Sequence, residues 1–204
     1  DPGDEVILPA PYWVSYYEQI KMVGGVPVVV ETTEESGFQM SPEQLRAAIT
    51  PKTKALIFNN PSNPTGMMYD LPVMQAIAQV CVEEDIYVIA DEIYDKLTFD
   101  GREFVSFPSQ GEEVKAHTIL VNGVSKTYAM TGWRVGFAAA QERIIQVMSN
   151  YLSHCISGTS SISQAAAVEA FAGPQDEIEE MRRTFEVRRD YLYDRLSHIP
   201  GVHA

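Results

Sequence analysis

Residues 118–140 read TILVNGVSKTYAMTGWRVGFAAA, and they decide what kind of sheet the chain builds. Thr118–Val121 is a short, apolar, strand-like run that ends in Asn122-Gly123, a turn signal. A second apolar run opens at Trp133. The link between them is shorter than the crossover of about a dozen residues that parallel neighbours need. If the two strands are adjacent, they are antiparallel. Lys126 and Arg134 lie at the rims of these runs. Two solvated charges are the ordinary reading, and Arg134 beside Trp133 also reads as a cation–π packing pair. A nucleophile and an anion clamp are the alternative.

Outward from this stretch, apolar runs of strand length alternate with helical patterns. EVIL, VPVVVE, KALIF, YVIA, TILVN and WRVGFAAA read as strands. YWVSYYEQIKMVGG reads as a helix that stops at Gly24-Gly25. SPEQLRAAI carries Ser41 as N-cap, Pro42 at the first helical position and Gln44 to close a capping box. DLPVMQAIAQVCVEED begins with Asp70 as cap and places Val73, Ile77, Val80 and Cys81 on one face. QERIIQVMSNYLSHC, SSISQAAAVEAFAG and a long segment from Asp176 to His198 complete a helical C-terminal third. Strands alternating with helices predict an α/β fold with a mostly parallel sheet, made mixed by the last pair.

Composition excludes several classes of function. The formal net charge is −13 over 204 residues, which repels nucleic acid and anionic membranes, so an anionic ligand needs locally placed cations. No apolar run reaches the length of a membrane span, and DPGDEV has neither the basic region nor the apolar core of an export signal. The absence of an initial methionine agrees with a piece of a longer product. Cys81 and Cys155 form no CxxC pair and suggest a reducing compartment. His117, His154, His198 and His203 show no zinc-binding spacing, so no metal is expected.

Three successive strands end in polar text. NNPSNPTG follows KALIF, DEIYD follows YVIA, and GVSK follows TILVN. In open α/β sheets ligands bind outside the carboxyl ends of the strands, and Asn63, Asp91, Tyr94 and Lys126 all fall there. Each has a plain alternative. Asn63-Pro64 starts turns, Asp91 caps a following segment, Tyr94 and Trp13 serve as core aromatics, and Lys126 is a surface lysine. Their joint placement at one sheet edge is the argument for a site. A lysine nucleophile with an aspartate behind an aromatic heterocycle describes pyridoxal phosphate chemistry. The amine must be uncharged to attack an aldehyde. The aspartate keeps the ring nitrogen protonated, a tyrosine and an asparagine bond the ring oxygen, and an arginine presents a planar fork to the phosphate.

The motifs PYWVSY, NNPSNPTG, ADEIYD and SKTYAMTGWRVG, in this order and spacing, resemble the class I aminotransferases of the pyridoxal phosphate fold type I, with closest likeness to the bacterial aspartate aminotransferase subgroup. The resemblance covers nearly the whole chain. It implies a three-layer α/β large domain, a mostly parallel mixed sheet flanked by helices. It implies that Lys126 is the Schiff-base lysine and proton carrier, that Asp91 faces the pyridine nitrogen, and that Tyr94 and Asn63 bind the ring oxygen. Arg134 and, beside the lysine, Ser125 would approach the phosphate. Trp13 would stack on the ring face, and Trp13 and Asn63 would also meet the substrate. The family often has a serine three residues before the lysine; here that position is Gly123.

The same likeness implies that residues 1–204 are the cofactor-binding domain of a longer cytoplasmic homodimer, without an N-terminal segment and a C-terminal small domain. The expected reaction is amino-group transfer from aspartate or a similar amino acid to a 2-oxo acid such as 2-oxoglutarate. A carbon–sulfur β-lyase or another fold type I enzyme, or a catalytically incomplete cofactor-binding or dimerisation domain, are the alternatives, and residues 1–204 alone are expected to show weak or no turnover.

Overall fold

The computed structural model describes residues 1–203. Six strands form one sheet in the order β2-β1-β3-β4-β5-β6: β1 (Glu5–Ala10), β2 (Val26–Glu31), β3 (Thr53–Asn59), β4 (Tyr87–Asp91), β5 (Thr118–Gly123) and β6 (Gly136–Ala139). Every neighbouring pair is parallel except β5 with β6, where Val121 faces Ala138 and Asn122 faces Phe137. The short link between the last two strands therefore has the consequence its length required. β2 is an edge strand, which is where Pro27 is tolerated, since it has no N–H to give to a ladder.

Among the described residues seven α-helices accompany the sheet: α1 (Ser15–Met22), α2 (Pro42–Ala48), α3 (Leu71–Glu83), α4 (Glu112–Ala116), α5 (Glu142–Cys155), α6 (Ser161–Ala172) and α7 (Asp176–Ser197). Side chains alternate across each strand, and the core divides accordingly. Ile7, Leu56, Phe58, Val88 and Ala90 pack on one face with Leu45 of α2 and with Met74, Ile77 and Cys81 of α3. Leu8 and Ile57 point to the other face and meet Tyr16 and Ile20 of α1. The sheet is thus flanked by helices on both sides, with its ligand-competent edge left to loops.

Local chemistry explains most boundaries. Ser41 Oγ accepts from Gln44 N at 3.2 Å while Gln44 Oε1 accepts from Ser41 N at 2.9 Å, so the expected capping box forms. Asp70 does sit at the N-cap of α3, but its carboxylate makes no cap bond. It accepts instead from Arg102 Nη2 at 3.0 Å and Gln39 Nε2 at 3.2 Å, a guanidinium being the stronger partner. α1 begins at Ser15 rather than Tyr12, leaving Trp13 in the loop before it. The strand expected from Trp133 starts at Gly136: Thr131–Trp133 is a 3-10 turn, and Arg134 adopts φ 56°, a left-handed backbone that ends any extended run. That turn fixes where Arg134 emerges.

Candidate active site

The carboxyl ends of β3, β4 and β5, together with the loop after β1, surround a cavity of about 460 Å³. That size is ordinary for a small-molecule site. Trp13, Asn63, Asp91, Tyr94, Ser125, Lys126 and Arg134 all line it. Every residue named from sequence is therefore brought to one place. A hollow of about 640 Å³ lies elsewhere, between residues 128–130 and α6 and α7. Its charged lining is Glu169, Asp176 and Glu177, with no cation to meet an anionic ligand.

Asp91 is the last residue of β4, and its surroundings hold it rigidly. Tyr16, the second residue of α1, donates its hydroxyl to Asp91 Oδ2 at 2.6 Å. The backbone N–H of Ile93 donates to Oδ1 at 3.2 Å. The Asp91 carbonyl accepts from Asn59 Nδ2 at 3.0 Å and from the Asn60 N–H at 3.1 Å. Tyr16 is only 7% exposed. Burial first, and then the charge of Asp91, push its phenol far above the ordinary range, so it remains a neutral donor. Asn59 does a second job: its Oδ1 accepts from the Asn63 N–H at 2.8 Å, which ties the NPSNPTG turn to the end of its own strand.

Tyr94 and Lys126 face each other from the loops after β4 and β5. Lys126 Nζ stands 5.9 Å from the centroid of the Tyr94 ring. Among the described residues Lys126 makes no salt bridge, so its amine has no carboxylate to satisfy it. Trp13 lines the cavity, is 42% exposed and meets Tyr16 edge-on, with centroids 5.3 Å apart and planes at 86°. Arg134 Nη1 donates to the Thr131 carbonyl at 3.0 Å, and Thr131 Oγ1 donates to the Ser125 carbonyl at 3.1 Å. The arginine turn is thereby joined to the lysine loop. A left-handed non-glycine residue costs about 1–2 kcal/mol, and such strain tends to persist where a side chain must be aimed.

Gly123 has a packing reason. A Cβ there would stand 2.7 Å from the Val135 carbonyl oxygen and 3.0 Å from Gly136 Cα. The close antiparallel approach of β5 and β6 leaves no space for a side chain, so the serine common at this position in the resembled family does not fit here without moving β6. Ser125 is the hydroxyl that lines the cavity in this stretch.

The lining suits pyridoxal phosphate. It offers two cations, Lys126 and Arg134, against the single carboxylate of Asp91. That balance suits an anion in a chain whose overall charge is −13. It also supplies an amine for an aldehyde, an acid partner for a ring nitrogen, and three aromatic side chains, Trp13, Tyr16 and Tyr94. Tyr16, Asn59, Asp95 and Thr127 were not singled out from sequence. Tyr16 follows Trp13 by three residues at the start of a helix, a spacing that places both near one wall, but only the packed structure shows which group its hydroxyl meets. Among the described residues there is no cluster of potential metal ligands, and no helix is long and apolar enough to cross a membrane.

The sequence profile of the family "Aminotransferase class I and II" matches residues 1–204. The chain is 51% identical over 201 residues to the aspartate aminotransferase of Geobacillus stearothermophilus, covering 98% of this chain and 51% of that protein. It is 46% identical over 204 residues to the asparagine–oxo-acid transaminase of Streptococcus mutans, covering 100% and 52% respectively. Its fold superposes on the crystal structure of the aspartate aminotransferase from Rhizobium meliloti with a TM-score of 0.96 at 41% identity, covering 98% of this chain and 50% of that one. The chain spans about half the length of the curated relatives it matches.

Proposed function

The chain belongs to the class I and II aminotransferase family, and from that premise we propose that its cavity is the pyridoxal phosphate site of an enzyme that moves an amino group between an L-amino acid and a 2-oxo acid. The observation that carries this reading is the convergence of Asp91, Tyr94, Lys126 and Arg134 on one cavity, with Asp91 braced by Tyr16. Pyridoxal phosphate, when bound, supplies an aldehyde and an electron-withdrawing ring that stabilises negative charge at a substrate α-carbon.

The protein's own residues do the rest. Lys126 would provide the amine for the aldehyde and, when free, a base for the proton at the substrate α-carbon. Asp91 would keep the ring nitrogen protonated, with its carboxylate aimed by Tyr16. Tyr94 and Asn63 would bond the ring oxygen. Arg134 and Ser125 would hold the phosphate, and Trp13 would stack on the ring and, with Asn63, meet the substrate, all of them lining the cavity. Transamination with an acidic donor such as aspartate is favoured by the names of the relatives over a carbon–sulfur β-lyase, and 2-oxoglutarate is the acceptor in this reading.

Residues 1–204 form the large cofactor-binding domain in this reading, and the whole enzyme is a cytoplasmic homodimer. Exposed apolar residues on the C-terminal helices, among them Val147, Tyr151, Ile162, Phe171 and Phe185, support a further domain or subunit against them. Two unpaired cysteines support a reducing compartment. The test is borohydride reduction of the full-length protein with pyridoxal phosphate, then peptide mass spectrometry. An adduct on Lys126 is expected, and an adduct only at other lysines overturns the assignment. Release of pyruvate and ammonia without transfer to 2-oxoglutarate would instead favour the lyase.

A further inference from the structure

Two neighbouring pairs of residues face each other across the gap between the β4 and β5 loops. Tyr94 stands opposite Lys126, and Asp95 stands opposite Thr127. The Asp95 carboxylate accepts from Thr127 Oγ1 at 2.9 Å through Oδ1 and from Asn122 Nδ2 at 3.2 Å through Oδ2. Its own backbone N–H donates to the Glu92 carbonyl at 3.0 Å, so the carboxylate projects from a closed turn. Asn122 is itself held, with its Oδ1 accepting from the Gly123 N–H at 2.7 Å. Thr127 is 1% exposed, so water does not compete for its hydroxyl.

We propose that Asp95 is a positioning residue for Lys126: by gripping Thr127 and Asn122 it locks the lysine loop to the loop that carries Asp91 and Tyr94. The physical need is clear. A lysine side chain has four freely rotating carbons, and its amine reaches a fixed point only if the backbone beneath it does not move. Lys126 has no salt-bridge partner among the described residues to steady its tip. The steadying is therefore done one residue later, at Thr127, by a charge-assisted bond from a buried hydroxyl to a half-buried carboxylate. Displacing an amine by about 1 Å is enough to slow its reaction by roughly a hundredfold.

The proposal rests on Lys126 being the amine that reacts with pyridoxal phosphate, and the experiment separates the two. Full-length protein freed of cofactor is mixed with pyridoxal phosphate, reduced with borohydride at timed intervals, and the Lys126 peptide is quantified. Folding of each variant is checked by circular dichroism. Thr127→Val keeps the shape and removes the hydroxyl, and it is expected to slow labelling about tenfold, the size of one charged hydrogen bond. Thr127→Ser keeps the donor and should label within about twofold of the wild type. Asp95→Ala, which also frees Asn122, should slow labelling at least as much as Thr127→Val does, and the double variant should be no slower than Asp95→Ala, because the Thr127 bond is already lost in it. Should Thr127→Val not fold, Thr127→Ala removes the same hydroxyl. Wild-type labelling in the valine variant, equal slowing in the valine and serine variants, or multiplying effects of the two sites overturns the positioning role. A wild-type protein that labels elsewhere than Lys126 overturns the cofactor assignment, and the positioning role with it.

Discussion

The hydroxyl of Tyr16 lies 2.6 Å from Oδ2 of Asp91, so the first helix of the chain is bonded directly to the tip of the fourth strand. Tyr16→Phe removes that donor and little else. A hydrogen bond to a charged group contributes about 1.5–3 kcal/mol. Asp91 keeps the Ile93 N–H but loses its side-chain partner. The expected result is pyridoxal phosphate affinity weakened about tenfold, with Lys126 still labelled by borohydride. Absorbance titration measures the first and peptide mass spectrometry the second. Unchanged affinity would show that the Ile93 N–H alone orients the carboxylate.

Arg134 is expected to read the phosphate and not the ring. Arg134→Lys keeps the charge and loses the planar fork. The preference for pyridoxal phosphate over pyridoxal should fall about tenfold or more in Arg134→Ala and by less in Arg134→Lys. Comparing dissociation constants for the two compounds checks this. An equal loss of affinity for both would place Arg134 away from the phosphate.

Glu92 is buried at 4% exposure, with Phe107 N–H donating to Oε1 at 2.6 Å and Ser106 Oγ to Oε2 at 2.8 Å. Burial, and next to it the charges of Asp95 and Asp91, raise its carboxyl from 4.5 to about 7 against those two bonds. Between pH 4.5 and 7 the folded chain keeps a proton that the unfolded chain has released. This group's contribution to stability is therefore full below pH 4.5, declines as pH rises to 7, and is flat above. The decline is of order 3 kcal/mol. Glu92→Gln mimics the protonated acid and should lose this slope. Urea denaturation at pH 5, 6 and 8 tests it: a variant with the wild-type slope would mean another group titrates.

Gly123 is expected to reject even a methyl group. Its Cβ would stand 2.7 Å from the Val135 carbonyl, which is backbone and moves only with β6. Gly123→Ala and Gly123→Ser should each cost about 1–3 kcal/mol by overpacking. A serine that restored phosphate affinity without loss of stability, by thermal melting, would show that β6 yields readily.

The alternating strand and helix text predicted a mostly parallel sheet, and the short link after TILVN predicted its antiparallel end, because chain length limits how a strand can return. Sequence reasoning erred at Trp133: its apolar neighbours resemble a strand, but the left-handed backbone of Arg134 breaks the run. It also assigned Asp70 a cap bond that Arg102 and Gln39 take instead, from residues distant in the chain.

Asn63, Asp91, Tyr94 and Lys126 were legible as candidate site residues because they follow the carboxyl ends of β3, β4 and β5, and strand ends are set by local pattern. Arg134 lies before β6, not after a strand, and the 3-10 turn at Thr131–Trp133 brings it to the cavity the others line. The residues that aim them were not legible. Tyr16 reaches Asp91, Asp95 reaches Thr127, and Gly123 yields to Val135 only once the strands lie side by side. Sequence by itself determined which groups are present and on which strand they end, since hydrophobic period and turn chemistry act over a few residues. Tertiary structure alone decided which hydroxyl faces which carboxylate, since those bonds join loops that meet only across the finished sheet.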